Sequence, residues 1–202
     1  MELMLASRNA HKLYEFARIL DPPHTVVELP QGINLPPETG ATFAENALIK
    51  AQAAAIATGR PVFADDSGIA ATALGGAPGI YSARYAGEGA TDQANLDKLL
   101  REVPVGGDRR VAYVCALVYF VPGEAPHVFE ERCHGLLATT PKGSGGFGYD
   151  PAFVPVDIDD GRTMAELTAE EKDAISHRGR AARALLAWLA VRPGRRNGAS
   201  GG

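Results

Sequence analysis

Residues 2–6 form a short apolar run of the kind buried in a sheet, and after Ser7-Arg8-Asn9 the apolar positions move to helical spacing at Leu13, Phe16, Ile19 and Leu20. The chain therefore opens as strand, loop, helix. A Pro-rich stretch from Pro22 to Pro37 carries one short strand near Thr25-Val26-Val27 and otherwise reads as loop. Thr42 and Glu45 have capping-box spacing ahead of an Ala-rich helix that runs to Thr58, with Gly59 as its stop. Pro61 to Ala64 reads as a short strand that ends in Asp65-Asp66-Ser67-Gly68. Two carboxylates then lie at a strand's C-terminal edge, where α/β sheets usually keep their chemistry.

Leu74 to Gly79 is turn-rich, and Thr91 caps a helix predicted over Ala94 to Glu102 before a polar break at Gly106-Gly107-Asp108. Val111 to Val121 is apolar on both alternating faces, the pattern of a strand central in its sheet. Pro122-Gly123 breaks that run, and a second strand from about His127 to Leu137 returns antiparallel to it. Thr168 and Glu171 repeat the capping-box spacing over a short helix, and Ser176 caps the last helix, whose Leu185, Trp188 and Leu189 form an apolar stripe ending at Pro193-Gly194. The tail from Arg195 to Gly202 has nothing to bury and reads as disordered. With no internal repeat or linker, the elements predict an α/β fold with a mixed sheet flanked by helices.

Composition narrows the function classes. The chain has 202 residues, 46% of them hydrophobic, enough for a proper core and inconsistent with disorder or a disulfide-stapled miniature. Its 20 Lys and Arg against 24 Asp and Glu leave a formal charge of −4, so no general basic surface draws in nucleic acid. Any anionic ligand must be held locally. Cys115 and Cys133 lie inside β-like runs and form no C-x-x-C pair, which argues against zinc and fits a reducing cytoplasm. The N-terminus lacks a basic n-region, and no apolar stretch is long enough for a membrane span.

Four segments carry candidate chemistry. Ser7-x-Asn9-x-x-Lys12, between a strand and a helix, suits a phosphate, though on its own an ordinary helix cap with a solvated lysine explains it better. Glu38, Glu45, Asp65 and Asp66 offer hard oxygens suited to Mg²⁺; capping alone accounts for Glu45, and adjacent Asp residues call for a cation. Gly143 to Gly148 matches the dinucleotide fingerprint G-x-G-x-x-G, but Tyr149-Asp150-Pro151 follows where that fingerprint needs a helix. A loop placing two rings and a carboxylate beside a planar ligand fits better. Lys172, His177 and Arg178 bracket the last helix junction as cationic donors. Walker loops, G-x-S-x-G elbows and metal-spaced histidines are absent from the sequence.

Six motifs in order carry a resemblance over nearly the whole chain. They are Ser7 to Lys12; Glu38-Thr39-Gly40 with Thr42 to Ala47; Ala64 to Gly68; Leu74 to Tyr85; Gly145 to Pro151; and Ser176-His177-Arg178. The chain resembles the inosine triphosphate pyrophosphatases, which hydrolyse non-standard purine nucleoside triphosphates such as ITP, dITP and XTP. The resemblance implies an elongated α/β molecule with a mixed central sheet, one domain over 1–192 with a cleft between two lobes, and a homodimer. It implies that Ser7, Arg8, Asn9, Ala10, His11 and Lys12 bind the triphosphate together with Lys50 and Ser67. Glu38 and Asp66 would hold Mg²⁺, with Asp66 also the general base. Phe147, Gly148, Tyr149, Asp150, Lys172, His177 and Arg178 would recognise the purine and its attached groups. Where the family's first loop often carries Thr and Gly, this chain has Ser7 and Arg8, and Arg8 would resist a positive φ. Two rivals are a phosphomonoesterase using Asp65 or Asp66 as nucleophile and a catalytically silent nucleotide sensor.

Overall fold

The computed structural model describes residues 1–192, so the predicted Pro193-Gly194 stop and the tail lie outside the described residues. Strands β1 (Glu2–Leu5), β2 (Thr25–Glu28), β3 (Val62–Ala71), β4 (Arg110–Phe120), β5 (His127–Leu137) and β6 (Phe153–Pro155) form one sheet in the order β2-β1-β3-β4-β5-β6. β1 is parallel to β2 and β3, whereas β3 through β6 pair antiparallel. The predicted hairpin forms, with β5 at its expected bounds and β4 one residue earlier than the expected Val111 to Val121, and every β4 residue from Val111 to Tyr119 is buried, as its two-faced apolar pattern requires.

Helices α1 (Ala10–Leu20) and α5 (His177–Val191) cover one face, burying Phe16 and Leu185 against Leu3, Leu5, Phe63 and Leu117. Helix α2 (Phe43–Thr58) covers the other. Its Ala47, Ala51 and Ala54 are small enough to bring the helix close to Met4, Ala64 and Val118. Helix α3 (Asp92–Glu102) packs Leu96 and Leu99 near Ile69 and Tyr113, and α4 (Ala169–Ile175) abuts α5 through Ser176. Thr91 caps α3 as expected, but that helix starts two residues before the predicted Ala94.

One correction decides where the chemistry sits. β3 does not end at Ala64; it runs on to Ala71, so both aspartates are interior strand residues. Successive side chains then point to opposite faces. Phe63 and Asp65 face α1 and α5, while Ala64 and Asp66 face α2. β1 stops at Leu5 opposite Phe63, which leaves β3 without a strand neighbour on that side from Asp65 until Ala70 bridges to Pro78. The chain leaves β1 for β2 on one side and returns to β3 on the other, so the gap beyond the carboxyl end of β1 is the sheet's topological switch point.

Candidate active site

The loop at that gap is ordered by its own polar groups. Ser7 Oγ accepts from the Asn9 amide at 3.1 Å, and Asn9 caps α1 by accepting from the His11 and Lys12 amides at 2.9 and 3.2 Å. Lys12 reaches across to Asp65 at 2.9 Å. Among the described residues no non-glycine has a positive φ, so the strain expected at Arg8 does not arise. Ala10 is the first residue of α1 and does not line the cleft described below, unlike the other predicted residues of this loop.

The two aspartates divide the work by face. Asp65 is fully buried, with Lys12 at 2.9 Å and Arg178 at 3.6 Å from Oδ2. Burial opposes its charge, but those two cations prevail and hold the carboxyl well below its usual range. It does not line the cleft, so it is a charge anchor and not the exposed nucleophile of the phosphomonoesterase alternative. Asp66 does line the cleft. Its Oδ2 accepts from Asn46 Nδ2 at 3.0 Å and its Oδ1 from the Ser67 amide at 3.0 Å. Burial raises its pKa, the Glu38 charge adds to that, and Lys50 opposes it.

Lys50 joins the acidic pair: its Nζ is 2.5 Å from Glu38 Oε1 and 4.0 Å from Asp66 Oδ1. Burial works against the ammonium, but the charges of Asp65, Asp66 and Glu38 raise its pKa. Asn46, one helical turn before Lys50, was not a sequence candidate; its Oδ1 accepts from the Gly40 amide at 2.8 Å while its amide holds Asp66. Its position at i−4 from Lys50, facing the sheet, is the available signal. Thr42 caps α2 by accepting from the Glu45 amide, while Glu45 accepts from the Ala41 amide at 2.6 Å, one residue before the capping-box position, and takes no place in the cleft lining.

On the far side Asp150 is the hub. Its Oδ1 accepts from Tyr113 at 2.9 Å, and its Oδ2 from the Phe147 amide at 2.9 Å and from Lys172 at 2.7 Å. Lys172 also meets Glu15 Oε1 at 2.7 Å, and the other Glu15 oxygen accepts from Arg178 Nη1. Glu15, absent from the sequence candidates, thus ties α1 to both cations; it lies three residues after Lys12 on the same helix. Burial opposes its charge, yet Arg178 and Lys172 lower its pKa.

Arg178 Nη2 donates to Ser67 Oγ at 3.0 Å. His177 stacks on Tyr113 with ring centroids 4.7 Å apart, and its pKa falls well below the usual value because it is buried beside Arg178 and Lys172. His177 Nδ1 and Arg178 Nε are buried with no hydrogen-bond partner among the described residues. Phe147 stacks on His11 at 4.9 Å, with Lys172 and Arg178 over its ring. Tyr149 donates its hydroxyl to the Ser82 carbonyl at 2.7 Å, and the Gly148 amide donates to Asp92 at 2.9 Å.

These residues line one cleft of about 880 Å³ that runs from Ser7, Lys12, Glu38, Lys50, Asp66 and Ser67 to Phe147, Asp150, Lys172, His177 and Arg178. Its walls also include Leu35 to Pro37 on one side and Glu88, Asp92 and Ser82 to Arg84 on the other, the last three from the Leu74 to Tyr85 motif, to none of which the sequence reading gives a role.

A sequence model of the Ham1 family matches residues 3–188. A Shigella flexneri protein named dITP/XTP pyrophosphatase is 50% identical over 195 residues, covering 92% of this chain and 96% of the relative. A Streptomyces coelicolor protein of the same name is 50% identical over 191 residues, covering 91% and 94%. The solved Ham1 protein of Staphylococcus aureus superposes with a TM-score of 0.83 at 42% identity, over 94% of this chain and 98% of that one. A Mycobacterium abscessus structure titled nucleoside-triphosphatase / dITP/XTP pyrophosphatase gives 0.73 at 45% identity, over 94% and 99%. Over residues 3–188, this chain belongs to the Ham1 family.

Proposed function

We propose that this protein hydrolyses non-standard purine nucleoside triphosphates of the ITP, dITP and XTP class to the monophosphate and pyrophosphate, removing them from the nucleotide pool, as its relatives' names suggest. One observation carries the reading: a single cleft joins an acidic edge, a set of buried cations and an aromatic lip. An acidic protein binding a tetra-anion needs such a local trap.

Glu38 and Asp66 fit Mg²⁺. The Lys50 ammonium already bridges these two carboxylates, and among the described residues no third acidic or imidazole ligand joins them. That donor set suits an ion that keeps waters and takes phosphate oxygens. When bound, the ion offsets charge on the phosphates. Lys12 and Lys50 add positive charge along the same edge, and Ser7, Asn9 and Ser67 supply polar groups. Arg8 and His11 also line this end. Asp66 accepts a proton from water as the water oxygen bonds to the α-phosphorus; the bond from that phosphorus to the bridging oxygen breaks, and pyrophosphate leaves with the electron pair.

Selectivity follows from the donors left to the base. The Phe147 and Gly148 amides are already held by Asp150 and Asp92, which leaves the cleft-lining His177 and Arg178 as the donors to the base. A 6-oxo purine accepts a hydrogen bond there; adenine presents an amino group and leaves the donor buried and unmet, which supports discrimination of about 10⁴. Residues 1–192 act as one two-lobed domain, supported by the single sheet through all strands. The enzyme works as the homodimer that the resemblance implies, and in a reducing cytoplasm, a setting its free, buried cysteines suit.

Incubation with ITP, XTP, GTP and ATP plus Mg²⁺, followed by analysis of the first product, tests the proposal. Pyrophosphate from ITP and XTP is expected, with Asp66→Asn slower by about 10³ or more. Inorganic phosphate as first product, or a fully active Asp66→Asn, overturns it.

A further inference from the structure

The segment from 29 to 42 joins β2 to α2 without regular secondary structure, yet Leu35, Pro36, Pro37 and Glu38 in it form a wall of the cleft. Three prolines at 30, 36 and 37 deprive it of amide donors. Its internal backbone bond, Ile33 N to Pro30 O, is long at 3.4 Å. The C-terminal end is fastened by Asn46 and Glu45, which accept from the Gly40 and Ala41 amides. The N-terminal end is fastened by Arg8. Its Nη1 donates to the Leu29 carbonyl at 2.6 Å, and its Nη2 to the Pro30 and Ile33 carbonyls at 2.7 and 2.8 Å.

Such a bracket needs a guanidinium. Its donors lie in a fixed plane and reach three carbonyls around a turn, whereas an ammonium radiates from one point. The bonds are short and charge-assisted, and three of the five donors are committed to protein oxygen, not to the open cleft.

We propose that Arg8 is a positioning residue: it clamps the 29–38 wall to the phosphate-facing loop and thereby holds Glu38 opposite Asp66, instead of serving as a ligand for the triphosphate. This rests on reading Glu38 and Asp66 as the metal pair. It also gives the bulky residue at this position a role that glycine, with no side chain, lacks.

Two variants separate a clamp from a phosphate ligand. Arg8→Lys keeps the charge and loses the fork; Arg8→Gln loses both. In metal-free and nucleotide-free protein, amide hydrogen exchange at Ile33, whose amide donates to the Pro30 carbonyl within the clamped turn, is expected to quicken about tenfold in each variant, the equivalent of one net hydrogen bond. Exchange in α1 stays as in the parent. In turnover at saturating nucleotide, the half-saturating Mg²⁺ concentration rises about tenfold in both variants, while nucleotide KM at saturating Mg²⁺ stays within about twofold.

Unchanged exchange in both variants overturns the clamp. An Arg8→Lys enzyme equal to the parent, beside an Arg8→Gln enzyme with a raised, salt-dependent nucleotide KM, makes Arg8 a phosphate ligand and also overturns it. A loosened segment with unaltered Mg²⁺ dependence breaks the link to Glu38. Glu38→Gln in the same titration is the control: if it leaves Mg²⁺ dependence unchanged, the metal assignment fails, while the exchange data still decide the clamp.

Discussion

Glu15→Gln tests the buried charge network most directly. Glu15, Asp65 and Asp150 face Lys12, Lys172 and Arg178, three carboxylates against three cations, all linked by the contacts described above. Converting one buried carboxylate to an amide leaves a positive charge uncompensated. Removing one partner of a buried pair typically costs about 3–5 kcal/mol. Lys172 keeps Asp150 at 2.7 Å, Arg178 keeps Asp65 at 3.6 Å and Ser67 at 3.0 Å, and glutamine retains one acceptor. The loss should therefore fall to roughly 2 kcal/mol, which for a chain of this length lowers Tm by about 4–8 °C. Differential scanning calorimetry at neutral pH reads it directly. Glu15→Gln, Lys172→Met and the double variant close a cycle whose coupling should be at least about 1 kcal/mol. A Tm within about 1 °C of the parent, or strictly additive single changes, would show that the network does not hold these helices together.

Three further outcomes follow from the same geometry. His177 is buried beside Arg178 and Lys172 with its pKa well below 6.5, so the unfolded chain binds an extra proton once pH falls below that value; stability should then decline by up to about 1.4 kcal/mol per pH unit, and denaturant melts from pH 7.5 to 5 should lose most of this slope in His177→Asn. Glu15 adds loss of the same sign only below its own unfolded value of 4.5, outside that range. A Cβ on Gly40 would lie 2.6 Å from Glu45 Cβ and 2.8 Å from Asn46 Oδ1, so Gly40→Ala should destabilise by about 1–3 kcal/mol in chemical denaturation and lower kcat as Asn46 leaves Asp66. Phe147→Ala removes the ring from the aromatic lip, and loss of stacking of about 1–3 kcal/mol should raise nucleotide KM about tenfold or more with kcat little changed, as steady-state kinetics will show.

Much of this fold was legible because hydrophobic periodicity and capping are local. Asn9, Thr42, Thr91, Thr168 and Ser176 all cap the helices assigned to them, and the β4–β5 hairpin lies within one residue of its predicted ends. β3 was misjudged for a physical reason: charged residues normally end a buried strand, and nothing near Asp65 in the sequence announces that Lys12 and Arg178 neutralise it from more than 50 residues away on either side. Asn46 and Glu15 were missed likewise, since each reads as an ordinary helix residue until a distant partner is in place.

The misplaced strand end has a mechanistic consequence. Had the aspartates terminated β3, both would sit on a loop and compete for the same cation. As interior residues of a strand that outlasts its neighbour, they are separated by the pleat: Asp65 is neutralised from the α1–α5 face, and Asp66 is left with a raised pKa on the α2 face. The pleat thus gives two adjacent identical side chains opposite electrostatic surroundings. Asp65 fixes the cations that frame the cleft, and Asp66 remains the carboxylate available to water.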